Sequence, residues 1–285
     1  MLIPKEGKIP YAGFETWYTA VGREGRTPLI TLHGGPGAGH GYMRVLDPLS
    51  DVRQVLYYDQ LGCGNSPADS DPGRWTVELF ADELANLIDR LGIGSYHILG
   101  QSWGGMLGIC FAGRQPEGLK SLILADSPVS VPEWNAESRR LAEELPTPYR
   151  ETLLYAIEHG EDDSPEFQAA MGAFMKKHFI RRDLGEAQFE TSPTEVYVTM
   201  QGPSELQLTG TLRDVDLTEN LKKIQVPTLV LAGRYDQCTP AVVRRMLDNI
   251  ENVRAVEFEE SGHVPQFDET DKFLQVVARF LAEHD

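Results

Sequence analysis

The sequence predicts an α/β fold in which a mostly parallel central sheet is flanked by helices. Short apolar runs typical of buried parallel strands recur along the chain, and amphipathic stretches with a helical period lie between them. A different pattern occupies residues 128–213, where helix-like stretches interrupted by prolines replace the strands. We therefore expect a helical insertion within an α/β core.

Strands are predicted where a short run of β-branched, aromatic or aliphatic residues is bounded by glycine, proline or polar residues. In chain order these runs are Phe14–Val21, Leu29–Leu32, Val52–Tyr58, Tyr96–Leu99, Leu119–Ala125, Val226–Gly233 and Ala255–Phe258. Core helices are predicted at 76–91, from residue 103 onward, and near 240–250 and 269–284. The insertion contributes predicted helices at 133–145, 148–158 and 164–179.

Composition and charge argue against several classes of partner. The 285-residue chain has a formal net charge of −17, whereas duplex binding needs a basic surface, so no nucleic-acid partner is expected. No apolar run approaches the roughly 20 residues that span a bilayer, and the N-terminal residues lack the apolar core of a signal peptide. We expect a cytoplasmic protein without membrane association. Cys63, Cys110 and Cys238 are far apart and are predicted to be free thiols.

A glycine-bracketed serine follows the predicted strand Tyr96–Leu99. Gly100 and Gly104 flank Ser102 at two residues on either side, and a helical run begins at Trp103. This strand–turn–helix context is typical of a nucleophile elbow, in which small neighbours let strand and helix approach closely around a strained turn. Ser102 is therefore predicted to be a nucleophile.

A serine nucleophile needs a histidine to take its proton and a carboxylate to orient that histidine. Asp236 lies just past one predicted strand and His263 just past the next, which gives the chain order Ser, Asp, His of an α/β-hydrolase. Taken singly, Asp236 could instead cap the following helix, and His263 could be an ordinary loop histidine. The remaining histidines have no metal-ligand spacing, so neither a metal nor a cofactor is expected.

An acyl-transfer enzyme also needs hydrogen-bond donors for the oxyanion. The loop His33–Gly37 follows a predicted strand, and its glycines leave backbone N–H groups free of side-chain obstruction. We predict that the backbone N–H groups of Gly35 and Trp103 form the oxyanion hole. The alternative for this loop is a simple turn.

Five motifs together resemble those of the proline iminopeptidase family of α/β-hydrolases. They are HGGPG at 33–37, YDQxGxGxS at 58–66, GQSWGG at 100–105, GPSE at 202–205 and TGTL at 209–212. The last two resemble the shorter, tricorn-interacting-factor-like branch. The resemblance implies a hydrolase core at 1–127 and 214–285, with a helical cap at 128–213 inserted after the sixth core strand.

The resemblance also implies residues that bind the substrate. Glu205 matches an acidic cap residue that receives the free α-ammonium group, Tyr197 matches a tyrosine of the same pocket, and Gly34 is assigned to substrate binding. Without the resemblance, Glu205 could be a solvated loop acid. Arg234 stands where a second glutamate can occur in this branch, and Glu195 or Glu133 could replace that glutamate.

The predicted function is a serine aminopeptidase that releases an N-terminal residue, proline by family default, from short peptides or amides with a free amine. One alternative is an amidase or aminoacyl-removing amide hydrolase that acts on a small metabolite. More remote alternatives are a carboxylesterase or lactonase, and a hydrolase-fold binding protein that has lost catalysis. The chain is expected to be a monomer or a small homo-oligomer.

Overall fold

The structure is a computed structural model that describes residues 2–69, 71, 73–160, 164–183 and 194–285. The predicted cap includes residues 161–163 and 184–193, which lie outside the described residues. None of the described helices is long and apolar enough to cross a membrane.

Eight strands form a single sheet in the order β1-β2-β4-β3-β5-β6-β7-β8. Their bounds are β1 Glu6–Tyr11, β2 Phe14–Val21, β3 Arg26–Leu32, β4 Arg53–Tyr58, β5 Tyr96–Gln101, β6 Leu119–Ala125, β7 Thr228–Gly233 and β8 Val253–Phe258. The pairs β1–β2 and β2–β4 are antiparallel, and all other pairs are parallel. The prediction of a mostly parallel sheet is confirmed.

The described helices are α1 Val77–Arg90, α2 Trp103–Ala112, α3 Val131–Glu143, α4 Tyr149–His159, α5 Pro165–His178, α6 Glu195–Met200, α7 Thr218–Leu221, α8 Pro240–Asn249, α9 Pro265–Asp268 and α10 Thr270–Glu283. A 3₁₀ helix spans Gly41–Asp51. The predicted helices of the core and of the insertion are all present, within one to three residues at most ends.

The sequence patterns did not predict the first strand, β1. Its residues alternate between exposed and half-buried, and it contains both a glycine and a proline. Pairing with β2 stabilises it at the edge of the sheet, where a proline is tolerated.

Side chains at alternate strand positions pack into two apolar layers, one on each face of the sheet. On one face, Leu56 and Ile98 pack in a cluster that includes Leu84 of α1 and Leu107 of α2. The opposite face packs against the 3₁₀ helix and α10, with Phe280 among the buried residues. Because helices cover both faces of the sheet, the side chains on both sides of each central strand are buried, and the strand sequences are continuously apolar.

Helices α3–α6 lie in the chain between β6 and β7, and α3, α4 and α5 share a separate apolar cluster. The two ends of this insertion meet, because Val131 N–H donates to Val215 and Leu217 N–H donates to Val129. The insertion therefore leaves and re-enters the core at one place. Because the central strands are parallel, the loops that follow them gather at one edge of the sheet.

Candidate active site

Ser102 occupies a strained turn between β5 and α2. Its backbone has φ 55° and ψ −123°, a conformation that residues with a side chain rarely adopt. A Cβ on Gly100 would overlap the carbonyl of Gly104, and a Cβ on Gly104 would overlap the carbonyl of Leu32. The glycines therefore permit the close approach of strand and helix that the sequence predicts for a nucleophile elbow.

His263 and Asp236 lie on the loops that follow β8 and β7, and they form a buried pair. His263 Nδ1 is 2.7 Å from Asp236 Oδ1. Burial alone would lower the pKa of His263, but the charge of Asp236 and its hydrogen bond outweigh burial and raise the pKa above its usual value. Rings of Trp134 and Phe179 pack around the imidazole, with centroids 5.6 and 5.2 Å from its own.

One cavity is lined by five of the predicted site residues. Ser102, His263 and Glu205 line it with Gly35 and Trp103. Apolar side chains complete part of its wall, among them Met106, Trp134, Leu208 and Leu212. The cavity therefore combines loops of the core with side chains of the insertion.

Two backbone N–H groups in this cavity are suited to an oxyanion. Trp103 is the first residue of α2, where a backbone N–H has no acceptor within the helix. Gly35 has φ 109°, a left-handed conformation that favours glycine, and its N–H has no hydrogen-bond acceptor within the described ranges.

Gly34, which is predicted to contact the substrate, is not among the residues that line this cavity. Its N–H donates to the Tyr42 hydroxyl at 2.6 Å, and that hydroxyl donates to Gln101 Oε1 at 2.8 Å. A Cβ on Gly34 would meet both side chains. The N–H of Gly34 is therefore already engaged within the protein, and its role in substrate binding stays a prediction.

Sequence reasoning missed the positioning role of Gln60, although Gln60 belongs to the motif at 58–66. Its Oε1 accepts a hydrogen bond from the Trp103 indole at 2.8 Å, and its Nε2 donates to the His33 carbonyl at 3.0 Å. Its backbone N–H also donates to His33 Nε2 at 3.1 Å. Burial lowers the pKa of His33 to about 4, which keeps this ring neutral and able to accept. Gln60 thus connects the two loops that carry the candidate oxyanion donors.

Asp59 braces the same region. His40 donates to Asp59 Oδ1 through its backbone N–H and approaches it with Nδ1, both at 2.8 Å, and Asn65 donates twice to Oδ2. Burial would raise the pKa of Asp59, but these hydrogen bonds outweigh it and lower the pKa to about 2. Asp59 therefore stabilises this loop.

Glu205 places a half-buried carboxyl group in the cavity. The Tyr197 hydroxyl donates to Glu205 Oε1 at 2.5 Å. Burial raises the pKa of Glu205, and the hydrogen bond from Tyr197 and the proximity of His263 partly offset this rise. No lysine or arginine lies among the described residues that line the cavity. A carboxylate here is therefore available to a cationic ligand.

The other charged candidates lie elsewhere. Arg234 is more than half exposed, with its Nε 3.6 Å from Glu257. Arg245 engages both carboxylate oxygens of Glu133, at 2.7 and 3.1 Å, so the weak prediction that Glu133 binds the amine is wrong. Glu195 is exposed in the first turn of α6 and does not line the cavity, so it does not replace the second glutamate either. The acidic group that the described cavity offers to an amine is Glu205.

Within the described part of the chain, no cluster of three or more histidine, cysteine or acidic side chains is arranged to hold a metal ion. The three cysteines are free and buried.

Comparison with known proteins assigns the class. The family model of the α/β hydrolase fold matches residues 27–270, so the chain belongs to the α/β-hydrolases. A proline iminopeptidase of Lactobacillus helveticus is 38% identical over 291 residues, with 98% of each chain covered. The crystal structure of a proline iminopeptidase from Mycobacterium smegmatis is 37% identical, with 98% of each chain covered and a TM-score of 0.91. The crystal structure of VinJ is 40% identical, with 98% of this chain and 99% of that chain covered, also at a TM-score of 0.91.

These relatives define the family more closely. The chain belongs to the proline iminopeptidase family, and it is a hydrolase of the α/β fold.

Proposed function

We propose that this hydrolase is a serine aminopeptidase that releases one N-terminal residue, proline first among the candidates, from short peptides or amides. The observation that carries the proposal is the half-buried Glu205 carboxyl group in the same cavity as Ser102 and His263. When Glu205 binds the ammonium group of the substrate, the first carbonyl of the substrate lies near Ser102. The enzyme therefore cleaves after the first residue of the substrate. The apolar wall of the cavity suits a pyrrolidine ring.

The chemistry follows from the arrangement of the loops. Ser102 Oγ attacks the carbonyl carbon of the first residue while His263 takes the serine proton. Asp236 holds His263 Nδ1–H and stabilises the imidazolium that forms. Gly35 and Trp103 donate to the oxyanion.

His263 then protonates the departing amine, which leaves an acyl-enzyme on Ser102. Water, activated by the same His263, hydrolyses this ester and releases the free amino acid.

Glu205 supplies the preference for a free amine. An ammonium buried beside a carboxylate is stabilised by charge-assisted hydrogen bonds, whereas an acetylated amine cannot form them. Loss of one partner of such a buried pair costs about 2–5 kcal/mol, which is roughly 30-fold or more in kcat/KM.

The first experiment measures kcat/KM on Pro-, Ala- and Phe-p-nitroanilide and on the N-acetylated form of the best substrate. We expect turnover of the free-amine substrates, proline ranking first, and a loss of about 30-fold or more on acetylation. Equal turnover of the acetylated substrate, or cleavage restricted to p-nitrophenyl esters, would move the assignment to an esterase. A lack of Ser102 labelling by a fluorophosphonate would indicate a binding protein.

Glu205→Gln tests the amine site itself. We expect this variant to lose about 30-fold or more on Pro-p-nitroanilide while its rate on an acetylated substrate stays near that of the wild type. Glu195→Gln is the matched control, because Glu195 belongs to the insertion but is exposed, and its kcat/KM should be unchanged. Equal losses on both substrates in Glu205→Gln would contradict recognition of the ammonium by this residue.

The amidase alternative differs only in the leaving amine. Arg234, which stands where a second glutamate can occur in the family, does not line the cavity, and its Nε lies 3.6 Å from Glu257. The family relatives favour an aminopeptidase. Comparison of Pro-Ala dipeptide with prolinamide separates the two, because an aminopeptidase cleaves the dipeptide at least as well.

A further inference from the structure

Asp126 lies at the end of β6, beside the candidate triad but outside it. Its side chain is completely buried, and its backbone has φ 53°, in the left-handed region. Aspartate and asparagine tolerate this conformation better than most residues because their short polar side chains bond locally. The strained backbone aims the carboxyl group of Asp126 at the loop that follows β7.

One oxygen of Asp126 has an ordinary partner. Gly233 donates its backbone N–H to Asp126 Oδ1 at 3.1 Å. The other oxygen, Oδ2, is buried and receives no hydrogen bond from any group in the described ranges. Buried polar atoms are nearly always paired, so this oxygen needs an explanation.

The explanation lies in Asp236, which has the complementary arrangement. Asp236 Oδ1 faces His263 Nδ1, while Asp236 Oδ2 is buried and likewise has no donor among the described groups. Both aspartates bond to Gly233, because its N–H donates to Asp126 Oδ1 and its carbonyl accepts the backbone N–H of Asp236 at 3.2 Å. This shared neighbour brings the two carboxyl groups together, and burial, the charge of Asp236 and a hydrogen bond with it raise the pKa of Asp126. Two ionised carboxylates in contact repel, whereas one proton between them satisfies both unpaired oxygens.

The surroundings decide which residue carries the proton. Asp236 Oδ1 already faces a donor, His263 Nδ1 at 2.7 Å, so the oxygen of Asp236 that still needs a donor is Oδ2. Burial and the negative charges of Asp236 and Asp268 raise the pKa of Asp126 well above its usual value. The other titratable groups that interact with Asp126 or Asp236 are Tyr42, Cys238, His178 and His263. Burial lowers the pKa of His178, so its ring carries no charge near neutral pH. Burial raises the pKa of both Tyr42 and Cys238, so neither adds a charge near neutral pH.

We propose that Asp126 is a positioning residue of the catalytic triad that carries a proton on Oδ2 and donates it to Asp236 Oδ2. Asp236 then accepts one hydrogen bond on each oxygen, from Asp126 on one side and from His263 on the other. This arrangement fixes the plane of the Asp236 carboxylate and hence the orientation of His263. The hydrogen bond from Asp126 also takes up part of the negative charge of Asp236. Asp236 therefore raises the pKa of His263 less than it would without Asp126. The proposal rests on the proposed roles of Asp236 and His263.

Two variants separate donation from simple packing. In Asp126→Asn, the amide oxygen can accept from Gly233 while the amide N–H₂ donates to Asp236, so the donor is kept without a titratable proton. In Asp126→Gly, the donor is lost but the left-handed backbone is retained, because glycine adopts it freely. The measurements are the pH profile of kcat/KM and the titration of the His263 imidazole by NMR, which gives an answer even if the substrate assignment is wrong.

For Asp126→Asn we expect an unchanged pKa of His263 and a kcat within a few-fold of the wild type. For Asp126→Gly we expect a higher pKa of His263, seen as an acid limb moved to higher pH, and a kcat lower by about tenfold, the effect of one orienting hydrogen bond. A lower pKa of His263 in Asp126→Asn would mean that a negative charge had been removed, so Asp126 would be ionised and the proposal wrong. An unchanged His263 titration in folded Asp126→Gly would equally overturn it.

Discussion

At the scale of single residues, the buried Glu83 and the half-buried Glu205 lack a lysine or arginine partner within the described structure and yet serve different purposes. Burial raises the pKa of both Glu205 and Glu83. Glu205 opens onto the cavity, where a cationic substrate can neutralise it. Glu83 is enclosed: Thr16 donates to it at 2.5 Å and the backbone N–H of Leu61 at 3.1 Å, so it joins β2, α1 and the loop after β4.

Glu83 should make stability depend on pH. Burial raises its pKa from 4.5 to about 8, so the folded protein holds a proton that the unfolded chain releases above about pH 4.5. The stabilisation is complete below pH 4.5 and is lost as pH rises towards 8. Relative to Glu83→Gln, the wild type should lose about 1.4 kcal/mol of unfolding free energy per pH unit in this window. Urea unfolding of both proteins from pH 5 to pH 8 measures it, and parallel curves would contradict a neutral Glu83.

At the scale of secondary-structure elements, the junction of β5 with α2 shows how packing sets the identity of glycines. Gly104 lies in the first turn of α2 against the carbonyl of Leu32 at the end of β3. Gly172 lies in the middle of α5 and is exposed, with nothing within 4 Å of a Cβ built there. Helix propensity favours alanine at both positions, and only tertiary contact distinguishes them.

We therefore expect opposite outcomes for the same substitution at these two positions. Gly172→Ala should stabilise the protein by about 0.5–1 kcal/mol, because alanine loses less backbone entropy in a helix. Gly104→Ala should destabilise it by at least about 1–3 kcal/mol and lower kcat, because the new methyl group pushes α2 and Ser102 away from β3. Thermal unfolding and kcat on one substrate measure both effects. Equal stability of the two variants would argue against close approach at the elbow.

At the scale of the whole molecule, the end of α5 joins the insertion to the loops of the candidate triad. The backbone carbonyl of His178 accepts a hydrogen bond from the backbone N–H of His263 at 3.0 Å. Nδ1 of the His178 ring lies 2.6 Å from the carbonyl of Tyr235. The guanidinium carbon of Arg181 stacks 3.6 Å from the ring centroid of Tyr235. Asp268 is the common acceptor: it receives the backbone N–H groups of Arg181 at 3.0 Å and of Gly262 at 3.0 Å.

Asp268→Asn should therefore affect both stability and turnover. An amide offers one acceptor where the carboxylate offers two, so it cannot serve the insertion and the His263 loop together. We expect a loss of about 1–3 kcal/mol in unfolding free energy and a several-fold drop in kcat. Asp214→Asn is the control, because Asp214 is 87% exposed and its replacement should stay within about 0.5 kcal/mol. A fall in stability without any change in kcat would mean that this contact does not position His263.

Much of the fold was predictable because its signals are local. Within the described residues, strand and helix periodicity identified seven of the eight strands and the seven longest α-helices, but not the 3₁₀ helix Gly41–Asp51. The prediction of an α/β-hydrolase fold is confirmed. The predicted family is confirmed as well. The exception, β1, is half-exposed and depends on pairing with β2, so its own residues carry little apolar periodicity.

The sequence by itself determined the order of the elements, the elbow at Ser102 and the candidates Asp236 and His263, because glycine spacing and strand ends are properties of neighbouring residues. Only the tertiary structure decided which side chains face the cavity. It placed Glu205 there, turned Arg234 outward and paired Glu133 with Arg245. It also brought Asp126 against Asp236, which lies 110 positions away in the chain. Burial, charge pairing and contact across strands depend on residues far apart in sequence, and no local pattern encodes them.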